Sequence, residues 1–550
     1  MPTIMVIFLL STTMLFSQNQ IADAVFMNAN VWTVDNHKPR AEAVAVLNGR
    51  ILAVGSKKEI QAFIGKSTTI IDIKGKLLLP GFIDNHTHFM SGGFQLQSVD
   101  LRYANNQQEF ARLIKERAEK HPGRWMTGGD WDHDRWPQPD LPTKELIDQY
   151  TPNTPVFVSR YDGHMALANS YVLKLAGITK TTPDPPGGAI VKDPKTGEPT
   201  GILKDEAMSL VWKHVPEPSE QEMLEAARLA LAEARKLGVT SIQDISSSAD
   251  LRTYQTLKRN GELTARFYCR LPISQWEHLA ATGVKVPFGD EWIRIGSLKA
   301  FADGSLGSST ALFFEPFTSD PSTSGLPSDI LQDGRLEQWA LAADKAGLQL
   351  SIHAIGDKAN SLILDLFEKI VKENPKWDRR FRIEHAQHIH PKDFKRFHEL
   401  GVTASVQPYH AIDDGRWAEK RIGYERCKTT YPFKTFLDEG IRMTFGSDWT
   451  VAPLNPLLGI YAAVTRRTID GRNPSGWFPE QKISVEQAVE AYTVHSAYAA
   501  FEENEKGSIT PGKLADFVVL SEDLFRIDPF RIQDVQVVMT VVAGKVVWQK

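Results

Sequence analysis

Six residues with metal-binding side chains fall at the ends of strand-like segments in this 550-residue chain. They are His86, His88, Lys299, His353, His385 and Asp448. Each follows an apolar or β-branched run, and parallel barrels carry their catalytic side chains at the carboxyl ends of their strands. Imidazole and carboxylate ligands suit zinc and similar cations, which lower the pKa of bound water toward about 7. The order of these residues therefore predicts a divalent-metal site that activates water.

His86 and His88 lie two residues apart at the end of the run Gly81–His88. Side chains at positions i and i+2 of a strand share one face, so both imidazoles can reach one ion. Taken alone, the pair is equally compatible with two surface histidines beside a turn. Its position directly after the apolar run Leu77–Asp84 favours the metal interpretation.

Lys299 lies inside the apolar run Ile295–Phe301, where a bare ammonium group is costly to bury. The expected roles are a carbamylated lysine bridging two metals, a neutral base, or a cation facing substrate. The structural alternative is a lysine that extends to the barrel rim or pairs with a buried carboxylate. Asp448 could bind metal and accept a proton from water, or cap a following helix. For His353 and His385, the prediction of metal binding depends only on their place in the order of the whole set.

Strand-like and helical segments alternate through the middle of the chain, which is typical of a parallel α/β fold. Candidate strands end near His86, Asp244, Leu271, Ala302, His353, His385, Gln407 and Asp448. Eight strands are the number that a (β/α)8 barrel of the TIM type requires. Amphipathic segments such as Met223–Lys236 and Leu336–Lys345 supply intervening helices. We therefore predict such a barrel over residues 79–504.

Short β segments at both chain ends predict a second, composite domain. Residues 20–78 contain the turn signal Asn48-Gly49 between apolar runs, and residues 505–550 are similarly strand-rich. Each segment is too small to fold alone, so we expect one β-sandwich domain built from both. Residues 90–220 are too many for a simple crossover after the first barrel strand. We expect an inserted subdomain there that faces the substrate.

Composition excludes several classes of protein. The net charge of -4 provides no basic surface for nucleic acid. Cys269 and Cys427 are the only cysteines, so neither a disulfide framework nor a cysteine-based zinc site is expected. Residues 1–17 are apolar, uncharged and short, which predicts a signal peptide and export to the periplasm or medium. The alternative is an apolar N-terminal segment packed on a cytoplasmic protein. Beyond export, no membrane association is expected.

The longer motifs resemble one branch of the amidohydrolase superfamily of metal-dependent hydrolases. This branch contains N-substituted formamide deformylase and the YtcJ-like proteins. The motifs that carry the resemblance are Trp131–Trp136, Ser159–His164, Asn169-Ser170, Ser297–Ser308 and Arg382–Gln387. The resemblance covers nearly the whole chain after the leader. It implies a distorted (β/α)8 barrel with a composite β-sandwich.

The resemblance also implies a ligand set. His86, His88 and Asp448 would bind the more buried metal, and Lys299, His353 and His385 would complete the site. The cofactor would be one or two divalent ions, with zinc expected, and Lys299 would be carbamylated if it bridges two ions. Where the branch often carries arginine, this chain has Ser308-Ser-Thr310, so a substrate contact from Ser309 is not carried over.

The expected reaction is hydrolysis of an amide-type carbon–nitrogen bond, other than a peptide bond, by metal-held hydroxide. Asp448 would act as general base and then general acid on a small-molecule substrate. Trp131 and His164 are the predicted substrate contacts, and the favoured alternative for them is a core aromatic and a loop histidine. Tyr161, Gln407 and His410 are weaker candidates of the same kind. A homodimer is compatible with this assignment.

Three alternatives stay open at this point. A deaminase or cyclic-amide hydrolase could use the same site on another substrate. A non-catalytic scaffold is disfavoured because all six ligand positions are filled. A carbohydrate-active barrel would need paired carboxylates at strand ends, and Glu384 beside His385 is the only tempting acid. That residue fits a role behind the ligands better.

Overall fold

The computed structural model describes residues 20–102, 104–133, 136–138, 140–160, 165–185 and 188–550. The predicted leader, residues 1–17, lies outside the described residues. Among the described residues, no helix combines the length and the apolar character that crossing a bilayer requires.

The N-terminal segment forms short strands around one tight hairpin. The strands are β1 (Ala24–Met27), β2 (Asn30–Trp32), β3 (Arg40–Ala41), β4 (Ala43–Leu47), β5 (Arg50–Gly55), β6 (Thr69–Asp72) and β7 (Leu77–Pro80), with helix α1 (Lys57–Ile60) after β5. Strands β4 and β5 pair antiparallel across Asn48 and Gly49. Both turn residues have positive φ, 51° and 74°, as a two-residue hairpin turn requires. A four-stranded sheet results, in the order β5-β4-β1-β6.

Strand β8 (Phe82–Thr87) opens the barrel and is followed by helix α2 (Phe89–Gln97) and the insertion. The insertion contains strands β9 (Met126–Trp131), β10 (Val156–Arg160), β11 (Met165–Ala168), β12 (Gly188–Lys192) and β13 (Pro199–Asp205), and helices α3 (Gln107–Lys120), α4 (Glu145–Asp148), α5 (Ser170–Leu175) and α6 (Ser209–Trp212). These strands form a separate five-stranded sheet in the order β12-β13-β11-β10-β9. The insertion therefore has a sheet and an apolar core of its own.

The barrel resumes after the insertion. Its strands are β14 (Val239–Ile245), β15 (Arg266–Pro272), β16 (Phe288–Gly289), β17 (Ile293–Phe301), β18 (Leu350–Ala354), β19 (Arg382–His385), β20 (Thr403–Val406) and β21 (Met443–Phe445). Apart from β16, which pairs antiparallel with β17, they line up as β21-β20-β19-β18-β17-β15-β14-β8, with parallel neighbours. A parallel bridge between Thr87 and Trp449 brings the two outer strands together. The prediction of an eight-stranded parallel barrel is confirmed.

Helices cover the barrel and follow the predicted amphipathic segments. They are α7 (Glu220–Lys236), α8 (Ser248–Arg259), α9 (Trp276–Ala281), α10 (Asp329–Gln332), α11 (Arg335–Lys345), α12 (Asp357–Glu373), α13 (Phe394–Glu399), α14 (Pro408–Asp414), α15 (Ala418–Ile422), α16 (Tyr424–Cys427), α17 (Phe433–Asp438), α18 (Pro456–Thr465), α19 (Val485–Ala491) and α20 (Val494–Ala499). Helix α7 starts three residues before the predicted segment because Ser219 and Glu222 form a capping box at its N-terminus.

The C-terminal strands are β22 (Phe517–Leu520), β23 (Val537–Val542) and β24 (Lys545–Gln549). They join strands from the other chain end in a six-stranded sheet, in the order β24-β23-β22-β7-β2-β3. A buried ion pair ties this sheet to the barrel, since Arg266 of β15 donates to both carboxylate oxygens of Asp516 at 2.7 and 3.0 Å. The sheet therefore contacts the barrel at the amino-terminal end of β15, opposite the carboxyl ends that carry the predicted ligands.

Candidate metal centre

The barrel brings the predicted ligands to one edge. His86 lies in β8, Lys299 in β17 and His353 in β18, and His385 ends β19. Parallel pairing sets neighbouring strand ends level, with Phe301 opposite His353 and Ala354 opposite His385. Asp448 follows β21 with a φ of 56°, and its N–H donates to the carbonyl of His86 at 2.7 Å. The chain turns sharply here and directs the carboxylate toward β8.

Three of the predicted ligands converge most closely. Asp448 Oδ1 lies 3.5 Å from His86 Nε2 and 3.4 Å from His88 Nε2. Both His86 Nε2 and Asp448 Oδ1 are buried and have no hydrogen-bond partner among the described residues. Buried polar atoms are normally paired, so these two atoms suit a role as cation ligands. The donor set of two imidazoles and a carboxylate is one that zinc accepts.

A second group of potential ligand atoms also includes the carboxylate of Asp448. Nitrogens of His385 and His410 and an oxygen of Asp448 all lie within 4.8 Å of one another. Sequence reasoning placed His410 only among the weaker pocket candidates. It was underrated because it lies in the first turn of α14 instead of at a strand end. The Pro408 that starts this helix directly after β20 was the available signal.

Lys299 and His353 lie beside these groups, with the ring centroid of His353 4.4 Å from that of His385. Lys299 Nζ is buried without a hydrogen-bond partner in the described part of the chain, 3.7 Å from the ring centroid of Phe301. Burial lowers the pKa of Lys299 to about 7, helped by the Arg270 guanidinium and opposed by Glu384. His353 Nε2 contacts the carbonyl of Gly304 at 3.0 Å. The lowered pKa of Lys299 favours the neutral amine that carbamylation needs. One nitrogen of His353 already contacts a backbone carbonyl.

The pKa shifts favour the protonation states that bind metal. Burial lowers the pKa of His86 to about 3, although Glu384 opposes the shift. Burial and the neighbouring His353 and His86 lower the pKa of His385 well below its usual value. Burial raises the pKa of Asp448, but the neighbouring imidazoles of His88, His86 and His385 outweigh this and lower it below its ordinary value. Neutral imidazoles and an ionised carboxylate are the ligand forms required.

A buried carboxylate supports the ligands from behind. Glu384 Oε2 lies 2.5 Å from His86 Nδ1, and its oxygens pair with Arg270 at 2.9 Å and Arg382 at 3.0 Å. Burial raises the pKa of Glu384, but Arg270 and Arg382 outweigh this and hold it well below its usual range. An ionised Glu384 accepts the Nδ1–H of His86, which leaves the Nε2 lone pair facing Asp448.

Asp84 was not identified from the sequence. Its carboxylate accepts the N–H groups of His86 at 3.1 Å and Ser447 at 3.0 Å, and so joins β8 to the loop that carries Asp448. Burial raises the pKa of Asp84 to about 7, against the hydrogen bonds from Ser447 and His86. The signal lay in the motif itself, because Asp84 shares a strand face with His86 and His88.

Of the two predicted substrate contacts, the structure describes Trp131, which lies in the core of the insertion. Trp131 is 0% exposed in the core of the insertion, and its indole N–H donates to the carbonyl of Val158 at 2.8 Å. An aromatic ring packed on all sides cannot line a pocket, so its predicted contact with substrate is not supported by this placement. His164 and Tyr161 lie outside the described residues. Gln407 is buried at the mouth and contacts His385 Nδ1 at 2.8 Å.

An eight-stranded parallel barrel whose mouth gathers histidines around a carboxylate is the architecture of a metal-dependent hydrolase. A model of the amidohydrolase family, Amidohydro_3, matches residues 69–548. The chain belongs to the amidohydrolase family.

Relatives support the predicted branch. The chain is 41% identical to Protein LONG AFTER FAR-RED 3 of Arabidopsis thaliana, over 96% of this chain and 91% of that protein. It is 33% identical to the putative amidohydrolase YtcJ of Bacillus subtilis, over 96% and 99%. It is 28% identical to N-substituted formamide deformylase of Arthrobacter pascens, over 96% and 98%.

Among solved structures, an uncharacterized metal-dependent hydrolase from Pyrococcus horikoshii is similar, with a TM-score of 0.77 and 28% identity. The similarity covers 92% of this chain and 99% of that one. The barrel and its accompanying sheets are therefore shared over nearly the full length.

Proposed function

We propose that this protein hydrolyses an amide-type carbon–nitrogen bond, other than a peptide bond, in a small molecule, with a divalent cation as cofactor. The observation that carries the proposal is the pair of buried, unpartnered ligand atoms, His86 Nε2 and Asp448 Oδ1, beside His88 and His385. The relationship to an N-substituted formamide deformylase supports the choice of bond. Zinc is the proposed cation because imidazole and carboxylate ligands suit it.

The residues of the site have separate proposed roles in hydrolysis. When bound, a divalent cation would polarise the substrate carbonyl and lower the pKa of water. His86, His88, His385 and Asp448 would hold it. Asp448, ionised near neutral pH, would accept the proton of the attacking water and return it to the leaving nitrogen. Glu384 holds His86 in the orientation that this arrangement needs.

A cavity of about 760 Å³ borders the segments that carry two of the ligands. Ser91 lies in the first turn of α2, three residues after His88, and Thr450 and Val451 follow Asp448. Strand β9 of the insertion forms the other wall of the cavity, where Asp130 pairs with Arg102 at 3.1 Å. Its mixed polar and apolar lining suits a drug-sized organic substrate. We propose that the substrate binds here.

Metal removal tests the cofactor requirement. Dialysis against a chelator is expected to abolish hydrolysis of N-formyl and N-acyl amines, and Zn²⁺ is expected to restore it. The measurement is product formation, with metal content determined on the same samples. Circular dichroism before and after chelation controls for unfolding. Activity that persists at full rate in metal-free protein would refute the proposal.

Product analysis separates the proposed reaction from its alternative. A linear amide yields a carboxylate plus an amine, whereas a deaminase yields ammonia and a cyclic-amide hydrolase opens a ring without releasing a fragment. The substrate panel therefore includes N-formyl amines, N-acyl amines, cyclic imides and aminated heterocycles. Ammonia as the sole nitrogen product would replace the proposed reaction with deamination.

Filling the cavity tests where the substrate binds. Val451→Trp adds a bulky ring at a side chain that is 68% exposed on the cavity wall. We expect kcat/KM to fall roughly tenfold or more for the larger substrates, with bound metal unchanged. Val371→Trp is the matched control, since Val371 lies on α12, away from the cavity, and is 47% exposed. Equal kinetics in the two variants would place the substrate elsewhere.

A further inference from the structure

Phe301 is the last residue of β17, at the edge of the barrel that carries the proposed ligands. Its side chain lies on the same strand face as Lys299, since residues two apart in a strand point to the same side. Lys299 Nζ is buried near the charges of Glu384 and Arg270, and it lies 3.7 Å from the centroid of the Phe301 ring. The ring therefore forms the layer directly above Lys299, at the mouth of the barrel.

The Phe301 ring also borders the histidines of the site. Parallel pairing of β17 and β18 sets Phe301 opposite His353, and the two ring centroids are 5.2 Å apart. The ring of His353 lies 4.4 Å from that of His385, which in turn lies 4.9 Å from that of His86. A continuous row of rings therefore leads from Phe301 to the proposed ligands.

The Phe301 ring is held open to solvent by a rigid backbone. Phe301 is 44% exposed, although the three residues before it, 298–300, are buried. Its carbonyl accepts the Oγ–H of Ser328 at 2.6 Å, and the next N–H, that of Ala302, donates to the His353 carbonyl at 2.8 Å. Apolar surface in such a position gains free energy when an apolar group covers it.

The proposed chemistry determines which part of the substrate meets this ring. Asp448 would return a proton to the leaving nitrogen, so this nitrogen must lie within hydrogen-bond reach of the carboxylate. Thr450 and Val451, which follow Asp448, line the cavity of about 760 Å³. In the ring of eight strands, β17 lies opposite β21, four strands away in either direction. With the amine beside Asp448, the acyl side of the bond points toward Phe301.

We propose that Phe301 is a specificity-determining residue that contacts the acyl group of the substrate, and that this group is apolar. The amine portion would occupy the cavity beside Asp448. This inference rests on the proposed function and names its substrate class, which is amines that carry an aromatic or alkyl acyl group larger than formyl. A phenyl or alkyl group can pack against the ring of Phe301, whereas a formyl hydrogen is too small to cover it.

A second role is available to the same ring, because it covers Nζ of Lys299. That role does not involve the acyl group of the substrate. Its loss would lower the hydrolysis of all amides by a common factor. Loss of a contact with the acyl group would instead change the ratio of kcat/KM between two acyl groups. This ratio therefore separates the two roles.

Kinetics on amides of one amine measure the ratio. N-formyl, N-acetyl and N-benzoyl derivatives are compared, so that only the acyl group varies. We expect Phe301→Ala to lower kcat/KM for the benzoyl derivative roughly tenfold or more relative to the formyl derivative, with bound zinc unchanged. Phe301→Leu, which keeps an apolar cover over Lys299, should show a smaller fall in the same direction. Phe288→Ala is the matched control, because this exposed phenylalanine lies on β16 beside the amino-terminal half of β17.

Binding of the acid products gives a measurement that needs no turnover. Benzoate and acetate are titrated into the zinc-loaded protein by calorimetry. We expect benzoate to bind about tenfold or more tightly than acetate, and Phe301→Ala to abolish this preference. Circular dichroism of each variant controls for unfolding.

The outcomes distinguish this inference from the function on which it rests. An unchanged kcat/KM ratio in Phe301→Ala, or equal affinities for benzoate and acetate in the unaltered protein, would overturn the role of Phe301. Hydrolysis of formyl amides alone would overturn the substrate class and leave the hydrolase function intact. A preference for benzoate that depends on Phe301, without hydrolysis of any amide, would refute the function and retain the apolar contact.

Discussion

Replacing Asp448 with asparagine is expected to remove bound metal and to lower hydrolysis by a factor of about a thousand or more. Oδ1 of Asp448 is the atom on which His86 and His88 converge, and the same carboxylate belongs to the group with His385 and His410. A neutral amide oxygen is a weak ligand and cannot accept the proton of water. Both functions of the side chain therefore fail together.

The measurement combines bound zinc with kcat/KM for the best substrate of the panel. Asp378→Asn is the matched control, because this carboxylate is 60% exposed and lies outside the site. The control should retain metal and activity. Full zinc content with an unchanged rate in Asp448→Asn would remove this residue from the chemistry, and the proposed mechanism with it.

The fold could be predicted from the sequence because parallel strands impose a simple geometry. Seven of the eight predicted strand ends lie within one residue of the observed ends, for example His86 against Thr87 and His353 against Ala354. The exception is Asp448, three residues beyond the end of β21 at Phe445. Once strands are parallel and closed, their carboxyl ends must share one edge, so side chains distant in sequence become neighbours.

The detailed partners could not be predicted, because they depend on which side chains meet inside the barrel. Glu384 follows an apolar strand pattern, and no local signal shows that Arg270, from another strand, pairs with it. His410 lies in a helical turn whose direction is set by the packing of α14. Trp131 shows the same limit, since the sequence left a substrate contact and a core aromatic both open, and packing inside the insertion decides where the ring lies.

Substitution of Glu384 is the other change with a large expected effect, both on stability and on metal affinity. Glu384→Gln removes the charge that balances Arg270 and Arg382, all three being 0% exposed. Breaking a buried pair by removing one partner costs about 3–5 kcal/mol, because an unpaired charge stays buried. We expect the free energy of unfolding, measured by urea denaturation of the apoprotein, to fall by about that amount. Glu399→Gln, at an exposed position on α13, should change it little.

A second substitution separates this stabilising role from the positioning of His86. The amide oxygen of Glu384→Gln can still accept the Nδ1–H of His86, whereas Glu384→Leu cannot. Arg270→Met is added to both variants to limit the unpaired buried charge. With this background, we expect zinc to bind about 10–100-fold more weakly in the leucine variant than in the glutamine variant. Equal zinc affinities would mean that Glu384 balances the arginines but does not orient the ligand, because the two variants differ at this position chiefly in the acceptor for Nδ1.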